Sequence, residues 1–316
     1  MSKHIKVGIS RCLLGDKVRF DAGHKKEAFI CNVLSHYFEF VAVCPEVDIG
    51  LGIPRTPVRL IGDVNDPELV NTKDASINHT DKMKNYCDKS VNTLTQLSGY
   101  ILKSKSPTCG LFRVKVYQEK GMPSYNGQGI FAKALADKYP DMPIEEEGRL
   151  QDPMLRENFL ERVFIYWRWQ EMLKSNLTKV KLIEFHTQHK LTIMAHSPQL
   201  YRELGTMIAN LKSVNLKDFS KKYLSLLMYG LRNYRATKKK NTNVLQHIAG
   251  YLKRKISSRD KQYLQDIIDK YHAGDIPLIV PITLLQYFFK KHPDDYIAEQ
   301  TYLNPYPGEL RLRNLL

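Results

Sequence analysis

Residues 40–46 read FVAVCPE. Four consecutive apolar residues, two of them β-branched, make the run expected of a strand buried on both faces, and the Cys-Pro that follows ends it. The same order occurs at residues 6–12, KVGISRC, where an apolar stretch leads into Cys12. It occurs a third time at residues 99–110, GYILKSKSPTCG, where a strand at 99–102 precedes Cys109. Helical spacing separates these strands. Ala28, Ile30, Cys31, Leu34 and Phe38 predict a helix over 24–38, a polar amphipathic stretch predicts one over 75–97, and 130–138 predicts a third that Pro140 stops. Residues 58–61 (VRLI) read as a strand at an edge, and 114–117 alternate like another. Strands alternating with helices argue for an α/β domain with a mostly parallel, Rossmann-like sheet.

The pattern changes near residue 152. Asp152 is placed to cap a helix whose first turn takes Pro153. Residues 154–173 then read as one helix rich in aromatics: Phe159, Phe164, Tyr166, Trp167 and Trp169. At helical spacing such a stripe is core rather than a stacking platform. Further helices are expected over 180–190, 198–211, 216–233, 244–255 and 259–271, with almost no strand signal. The expected organisation is an α/β domain over 1–150 and an all-α domain over 151–316.

In 316 residues, 43% are hydrophobic and 26% charged, so the chain can bury real cores. No apolar run approaches the roughly 18 residues of a membrane span, and the opening MSKHIKVGISRCLLG is too polar for a signal peptide. A cytoplasmic protein with no membrane association is expected. Nothing in the sequence calls for an obligate protein partner. Five widely spaced cysteines do not form a secreted disulfide framework.

The net charge of +15 is unevenly placed: residues 1–150 carry 21 Lys+Arg and 18 Asp+Glu, residues 151–316 carry 27 and 15. Between residues 217 and 261 there are 13 basic residues and two acids, Asp218 and Asp260. Lys221, Lys222, Arg232, Arg235, Lys238, Lys239, Lys240, Lys253, Arg254 and Lys255 carry much of this charge, interleaved with Tyr223, Tyr229, Tyr234 and Tyr251. Cations with interspersed aromatics suit RNA, whose phosphates give affinity and whose exposed bases stack. The tail NPYPGELRLRNLL either packs on the domain or extends that surface.

Cys12, Cys44 and Cys109 each follow a strand-like run and have Gly or Pro nearby. In an open α/β sheet the carboxyl ends of parallel strands share one edge, where ligands bind. Three thiols delivered there could converge. Zinc is a poor match, because structural sites take four protein ligands and closely paired cysteines. A 4Fe–4S cluster with three cysteine ligands and one open iron suits better. Three unrelated buried cysteines would leave the same spacing, so spacing leaves both readings open. Cys31 and Cys87 fall within expected helices at apolar positions and read as core. Gly50 and Gly52 lack the phosphate-loop spacing and read as a turn.

The segments RCLLGDKVRFDAGHK, CPEVDIGLGIPR and LKSKSPTCG together resemble the thiouracil desulfidase family, over roughly residues 1–150. The remaining half resembles a helical family of unknown function that occurs fused behind it, as in desulfidases acting on 4-thiouridine in tRNA. The resemblance implies a 4Fe–4S cluster on Cys12, Cys44 and Cys109, with Glu46 and Ser106 as catalytic residues. Thr108 stands where serine is common in the family, a change expected to be harmless. Asp16, Arg19, Asp21, His24, Asp48 and Arg55 share these segments, and no role is assigned to them. The implied reaction is non-redox desulfuration of 4-thiouridine in tRNA with release of hydrogen sulfide. A basic helical domain favours tRNA over a free thiouracil-type base, which needs only a pocket. A cluster-bearing, non-catalytic nucleic-acid sensor is the remaining reading, and it would have no use for Glu46 or Ser106.

Overall fold

The computed structural model describes residues 5–118, 121–211, 214–310 and 312–314. The chain divides into two compact units, Met1–Leu155 and Arg156–Leu316. The first runs β1 (Ile5–Ser10), α1 (Ala28–Asn32), β2 (Phe38–Val43), α2 (Pro45–Asp48), β3 (Val58–Ile61), β4 (Glu68–Asn71), α3 (Thr80–Ser90), β5 (Tyr100–Leu102), β6 (Val114–Tyr117), β7 (Ser124–Gly127), α4 (Ile130–Lys138) and β8 (Ile144–Glu146).

Four strands form a wholly parallel sheet in the order β2-β1-β5-β8. Val7, Ile9, Tyr100, Ile101 and Leu102 are buried, as the apolar runs require of strands covered on both faces, whereas Phe40, Val41, Ala42 and Val43 are only half-buried, because β2 is the edge strand. Gly8 permits the closest approach: a Cβ there would lie 2.2 Å from the Tyr100 ring. The chain leaves β1 toward β2 on one side and later returns to place β5 on the other. Such a reversal opens a crevice beyond the carboxyl ends of the strands.

A second sheet, β4-β3-β6-β7, is mixed, with β3 antiparallel to β4 and parallel to β6, and β6 antiparallel to β7. The strand at 58–61 is therefore interior, not an edge, because β4 covers its other side. β4, β7 and β8 are only three or four residues long and gave no sequence signal.

Two expected helices are shorter than their spacing suggested. Over 24–38 only α1 and a single 3₁₀ turn, Leu34–His36, form. Phe38 is buried as the first residue of β2, paired with Ile5, so its apolar character belongs to a strand. Over 75–97 the helix begins only at Thr80. Ahead of it Asn71 Oδ1 accepts from the Lys73 and Asp74 amides and Asp74 Oδ1 from the Ser76 amide, and such local side-chain bonds compete with helix.

The second unit is helical: α5 (Pro153–Lys174, whose first turn lies at the boundary), α6 (Lys179–His196), α7 (Pro198–Ala209), α8 (Leu216–Asn233), α9 (Lys238–Gly250), α10 (Ser258–Ala273), α11 (Ile279–Lys291) and α12 (Asp295–Ala298). Asp152 Oδ1 accepts from the Met154 and Leu155 amides at 2.8 and 3.1 Å, the expected cap. The aromatic stripe of α5 is core: Phe159, Phe164 and Trp169 are buried, and Trp169 stacks on Tyr223 at 5.6 Å. One apolar core gathers Trp169, Phe185, Leu204 and Leu227, and another gathers Val244, Ile248, Ile268 and Leu285. The helix expected over 244–255 begins earlier, with Lys238–Lys240 as the first turn of α9, capped by Thr237. That helix stops at Gly250, which leaves residues 253–255 on the turn beyond it. α11 and α12 were not anticipated. The tail packs on its own unit, with Leu310, Leu312 and Arg313 buried; Arg311, Leu315 and Leu316 lie outside the described residues. Among the described residues no helix is long and apolar enough to cross a membrane.

Candidate active site

The carboxyl ends of β1, β2 and β5 deliver three loops to one edge of the parallel sheet. A 3₁₀ turn after β1 carries Cys12. Cys44 stands at the N-cap of α2, directly after β2, with Pro45 at the first helical position. Cys109 follows β5 in the segment that packs on the start of α4, where the Phe131 and Ala132 amides donate to the Thr108 carbonyl. These loops enclose a cavity of about 410 Å³ lined by Cys12, Cys44 and Cys109 together with Glu46, Ser106 and Thr108.

All three thiols are free. Burial pushes Cys12 up to about 11 and Cys109 up to about 12, and it raises Cys44 as well. The negative charge that a Cys44 thiolate would carry raises both Cys12 and Cys109, which marks Cys44 as the neighbour of each. Arg19 and Lys103 act the other way on Cys12. Among the described residues no three His, Cys, Asp or Glu side chains are grouped to hold a single metal ion. Cys87 is buried in α3, whereas Cys31 is half-buried with its Sγ 3.5 Å from the Leu13 carbonyl oxygen.

Glu46 and Ser106 are joined through a residue without a forecast role. Thr108 Oγ1 donates to Glu46 Oε1 at 2.9 Å and lies 3.0 Å from Ser106 Oγ. A hydroxyl has one proton; when Thr108 gives its own to the carboxylate, Ser106 must donate to Thr108. Ser106 Oγ in turn accepts from the Thr108 and Cys109 amides at 3.2 and 3.1 Å. The order is Ser106 to Thr108 to Glu46, three side chains long, beside Cys109. The sequence marked Thr108 only as a replacement for the family's usual serine and gave it no role.

Arg55, left without a role by the sequence, anchors the other carboxylate oxygen. Its Nε and Nη2 donate to Glu46 Oε2 at 3.0 and 2.7 Å, and its Nη1 donates to the Val18 and Gly52 carbonyls at 3.0 Å each. Gly50 and Gly52 both take positive φ, +79° and +78°, which turns the chain so that Arg55 faces back toward α2. These glycines therefore serve a turn, as expected. Asp48 accepts from the Tyr86 hydroxyl at 2.6 Å, and Asp21 accepts from the Gly23 amide, so both hold local structure.

In the helical unit Lys221, Lys222, Arg232, Arg235, Lys238, Lys239, Lys253 and Arg254 are exposed. Lys240 and Lys255 have internal partners: Lys240 Nζ donates to the His196 and Arg235 carbonyls, and Lys255 Nζ pairs with Asp294 at 3.0 Å. Tyr229 and Tyr234 are exposed, whereas Tyr223 is core and Tyr251 stacks on Tyr296.

Residues 7–147 match the family described as 2-thiouracil desulfurase, and residues 190–307 match the one described as Protein of unknown function (DUF1722). Uncharacterized protein YbgA of Escherichia coli (strain K12) is 31% identical over 156 residues, 49% of this chain and 92% of its own length. Uncharacterized protein YbbK of Bacillus subtilis (strain 168) is 30% identical over 108 residues, 32% of this chain and 71% of its own. Among solved structures, a 4Fe-4S-dependent thiouracil desulfidase, TudS, aligns at 25% identity over 47% of this chain and 94% of its own, with a TM-score of 0.38. Matched by the family model over residues 7–147, and 31% and 30% identical to relatives of which it covers 92% and 71%, the chain belongs to the 2-thiouracil desulfurase family.

Proposed function

We propose that this protein removes sulfur from 4-thiouridine in tRNA, leaving uridine and hydrogen sulfide, with a 4Fe–4S cluster held by Cys12, Cys44 and Cys109. Family membership supplies the coarser statement, an enzyme that desulfurises thiouracil-type bases. The observation that carries the rest is one cavity holding three thiols, a carboxylate and a serine, in a chain whose other unit is basic.

The donor set fits the cluster. Sulfur ligands suit iron–sulfur centres. A cluster places each thiolate on its own iron, so it asks for a shared cavity rather than a shared point. Arg19 and Lys103 line this cavity and both favour a charged Cys12, as a thiolate-bound anionic group requires, while Arg19 Nε also lies 3.6 Å from Asp21 Oδ1. When bound, the cluster supplies an open iron, a soft Lewis acid for the thiocarbonyl sulfur.

The chain's own residues manage the protons. Water adds its oxygen to the thiocarbonyl carbon, the carbon–sulfur bond breaks, and both water protons leave with sulfur as hydrogen sulfide. No electrons are gained or lost overall. Glu46 Oε1 takes a proton from the attacking water, and Ser106, held by the Thr108 and Cys109 amides, orients that base through Thr108. Arg55 fixes the plane of the carboxylate.

The exposed cations Lys221, Lys222, Arg232, Arg235, Lys238, Lys239, Lys253 and Arg254, with Tyr229 and Tyr234 among them, supply the tRNA surface. Lys240 and Lys255 contribute charge but are tethered.

The test is anaerobic incubation of cluster-reconstituted protein with tRNA containing 4-thiouridine. Loss of the near-ultraviolet thiocarbonyl band, with sulfide released and uridine recovered, is the expected result. An unchanged band despite a full cluster and bound tRNA overturns the tRNA substrate, and consumption of free 2-thiouracil under those conditions would replace it. Cys109→Ala should lose iron, acid-labile sulfide and turnover together, because Cys109 is the most deeply buried of the three thiols. Full iron content in that variant would show that the ligand set is wrong.

A further inference from the structure

Next to the cysteine cavity, and sharing Val58, Ser104, Lys105 and Pro107 with it, lies a larger groove of about 1280 Å³. Its wall is the mixed sheet, through β3, β6 and β7, together with the segment that follows β5. Five cations line it: Arg59, Lys105, Arg113, Lys115 and Arg149. The single acid among the lining residues is Glu146, whose Oε1 is taken up by the Leu111 and Phe112 amides at 2.8 and 3.1 Å.

This concentration is local. Residues 1–150 carry a net charge of only +3, from 21 basic and 18 acidic residues, so general basicity does not explain it. Arg149 pairs with Glu145 at 2.7 Å, but among the described residues Arg59, Lys105, Arg113 and Lys115 have no carboxylate partner. Arg59 Nε is buried and lacks any hydrogen-bond partner among the described residues. Arg113 and Lys105 hold positive φ, +53° and +61°, on either side of Cys109.

Three aromatic rings accompany the cations. Arg59 lies over Tyr117 at 5.2 Å, Lys115 over Tyr125 at 5.4 Å, and Arg149 over Phe112 at 5.0 Å. Tyr125 is 52% exposed and Phe112 is 44% exposed, so these rings offer free surface. Cations that follow a phosphate chain, alternating with rings on which bases stack, are the means by which proteins hold single-stranded nucleic acid. An acidic peptide would use the cations but not the rings.

We infer that this groove is a binding track for the sugar–phosphate backbone and flanking bases of a locally unpaired polynucleotide, which delivers one base into the cysteine cavity. The inference rests on the desulfidase reading of that cavity for its direction, but the track itself is a binding site and can be measured without turnover. Under it the first unit, not only the basic helical unit, contacts RNA, and the substrate base arrives unstacked with neighbours attached.

The probe is an unthiolated oligouridine of about eight nucleotides, labelled for fluorescence anisotropy, with the full-length protein over a series of salt concentrations. R113E/K115E should weaken binding at least tenfold and reduce the salt dependence, by about 0.7 in log–log slope for each phosphate that is no longer neutralised. Y125A should weaken it roughly tenfold with the slope unchanged, because stacking releases no counterions. Unchanged affinity in R113E/K115E, no binding by the wild-type protein, or equal competition by oligoglutamate of the same charge would each overturn the track. Thermal melting and far-ultraviolet circular dichroism of each variant confirm that the fold is intact. Binding that falls as expected in a protein that never turns over thiolated substrate leaves the track standing and removes the desulfidase reading instead.

Discussion

Glu46→Gln should retain the cluster's iron and visible absorbance while lowering kcat by about 10²–10⁴-fold, the usual contribution of a positioned acid or base. The amide keeps the size of the carboxylate and can still accept from Thr108, so the cavity should persist. What it cannot do is take a proton from water. Both Arg55 bonds run to the one oxygen Oε2, so an amide turned to accept from Thr108 presents its NH2 to the guanidinium and loses both of them. Iron content and melting temperature must therefore be read beside turnover. Full turnover with an intact cluster would remove Glu46 from the chemistry. Thr108→Val gives an independent reading of the same hydroxyl chain. Thr108 is 1% exposed and too enclosed to hold substrate, so it is a positioning residue. Its isosteric replacement should lower kcat and leave KM nearly unchanged, and a loss confined to KM would count against the relay.

These two residues show how the site is assembled from distant sequence. Cys44 and Glu46 come from the end of β2, Ser106, Thr108 and Cys109 from the loop after β5, and Cys12 from the turn after β1. None is near another segment's residues in the chain. The parallel order β2-β1-β5 sets their loops side by side at one sheet edge, which is where a reversal of strand order leaves an opening. Because the hydroxyl chain crosses from one loop to another, it also ties together two loops that each carry a cysteine.

The parallel core was legible at β1, β2 and β5, whose apolar runs stand out in the sequence; burial on both faces explains this for the central β1 and β5, whereas the edge strand β2 is mostly half-buried and β8, reading IEE, was not legible. The mixed sheet was not. β4 and β7 are four residues each, with exposed positions, and their identity as strands depends on pairing that a linear reading lacks. Helix ends failed where local polar bonds win, as at Asn71 and Asp74 before α3. In the site, the cysteines could be singled out because each follows a strand and sits near a breaker. Thr108 and Arg55 stood in the same segments without a role, since a threonine in a loop and an arginine after a proline carry no pattern of their own; only the fold shows that both point at one carboxylate. The cations split in the same way. Composition identifies a basic stretch, but it does not show that Lys240 and Lys255 are occupied within the domain while Lys238 and Lys239 are exposed.

Arg313→Ala should destabilise the helical unit by about 3–5 kcal/mol, the effect of stripping one partner from a buried ionic cluster. Arg313 is 7% exposed. Its Nε lies 3.2 Å from Glu157 Oε1, its Nη2 3.5 Å from Glu161 Oε1, and its Nη1 donates to the Tyr302 carbonyl at 2.6 Å. Glu161 continues the cluster to His196 Nε2 at 2.7 Å, and His196 Nδ1 contacts the Tyr234 carbonyl at 2.6 Å. Burial raises the Glu157 carboxyl above its ordinary range even with Arg313 pulling it down. Without the guanidinium that carboxyl rises further and takes up a proton in the folded state more readily than in the unfolded one. A group with a raised folded value favours folding at low pH and loses that contribution as pH increases. The variant's deficit should therefore be largest near neutrality and narrow as the pH falls toward about 5. At roughly 2–4 °C per kcal/mol for a unit of this size, the melting temperature at neutral pH should drop by about ten degrees. Arg313→Lys keeps the charge but not the fork that serves two carboxylates and a carbonyl, so it should recover part of the loss. Melting of the full chain within a degree or two of the wild type would show that the tail merely rests on the helices, and that the cluster around Glu157 and Glu161 is held by other means.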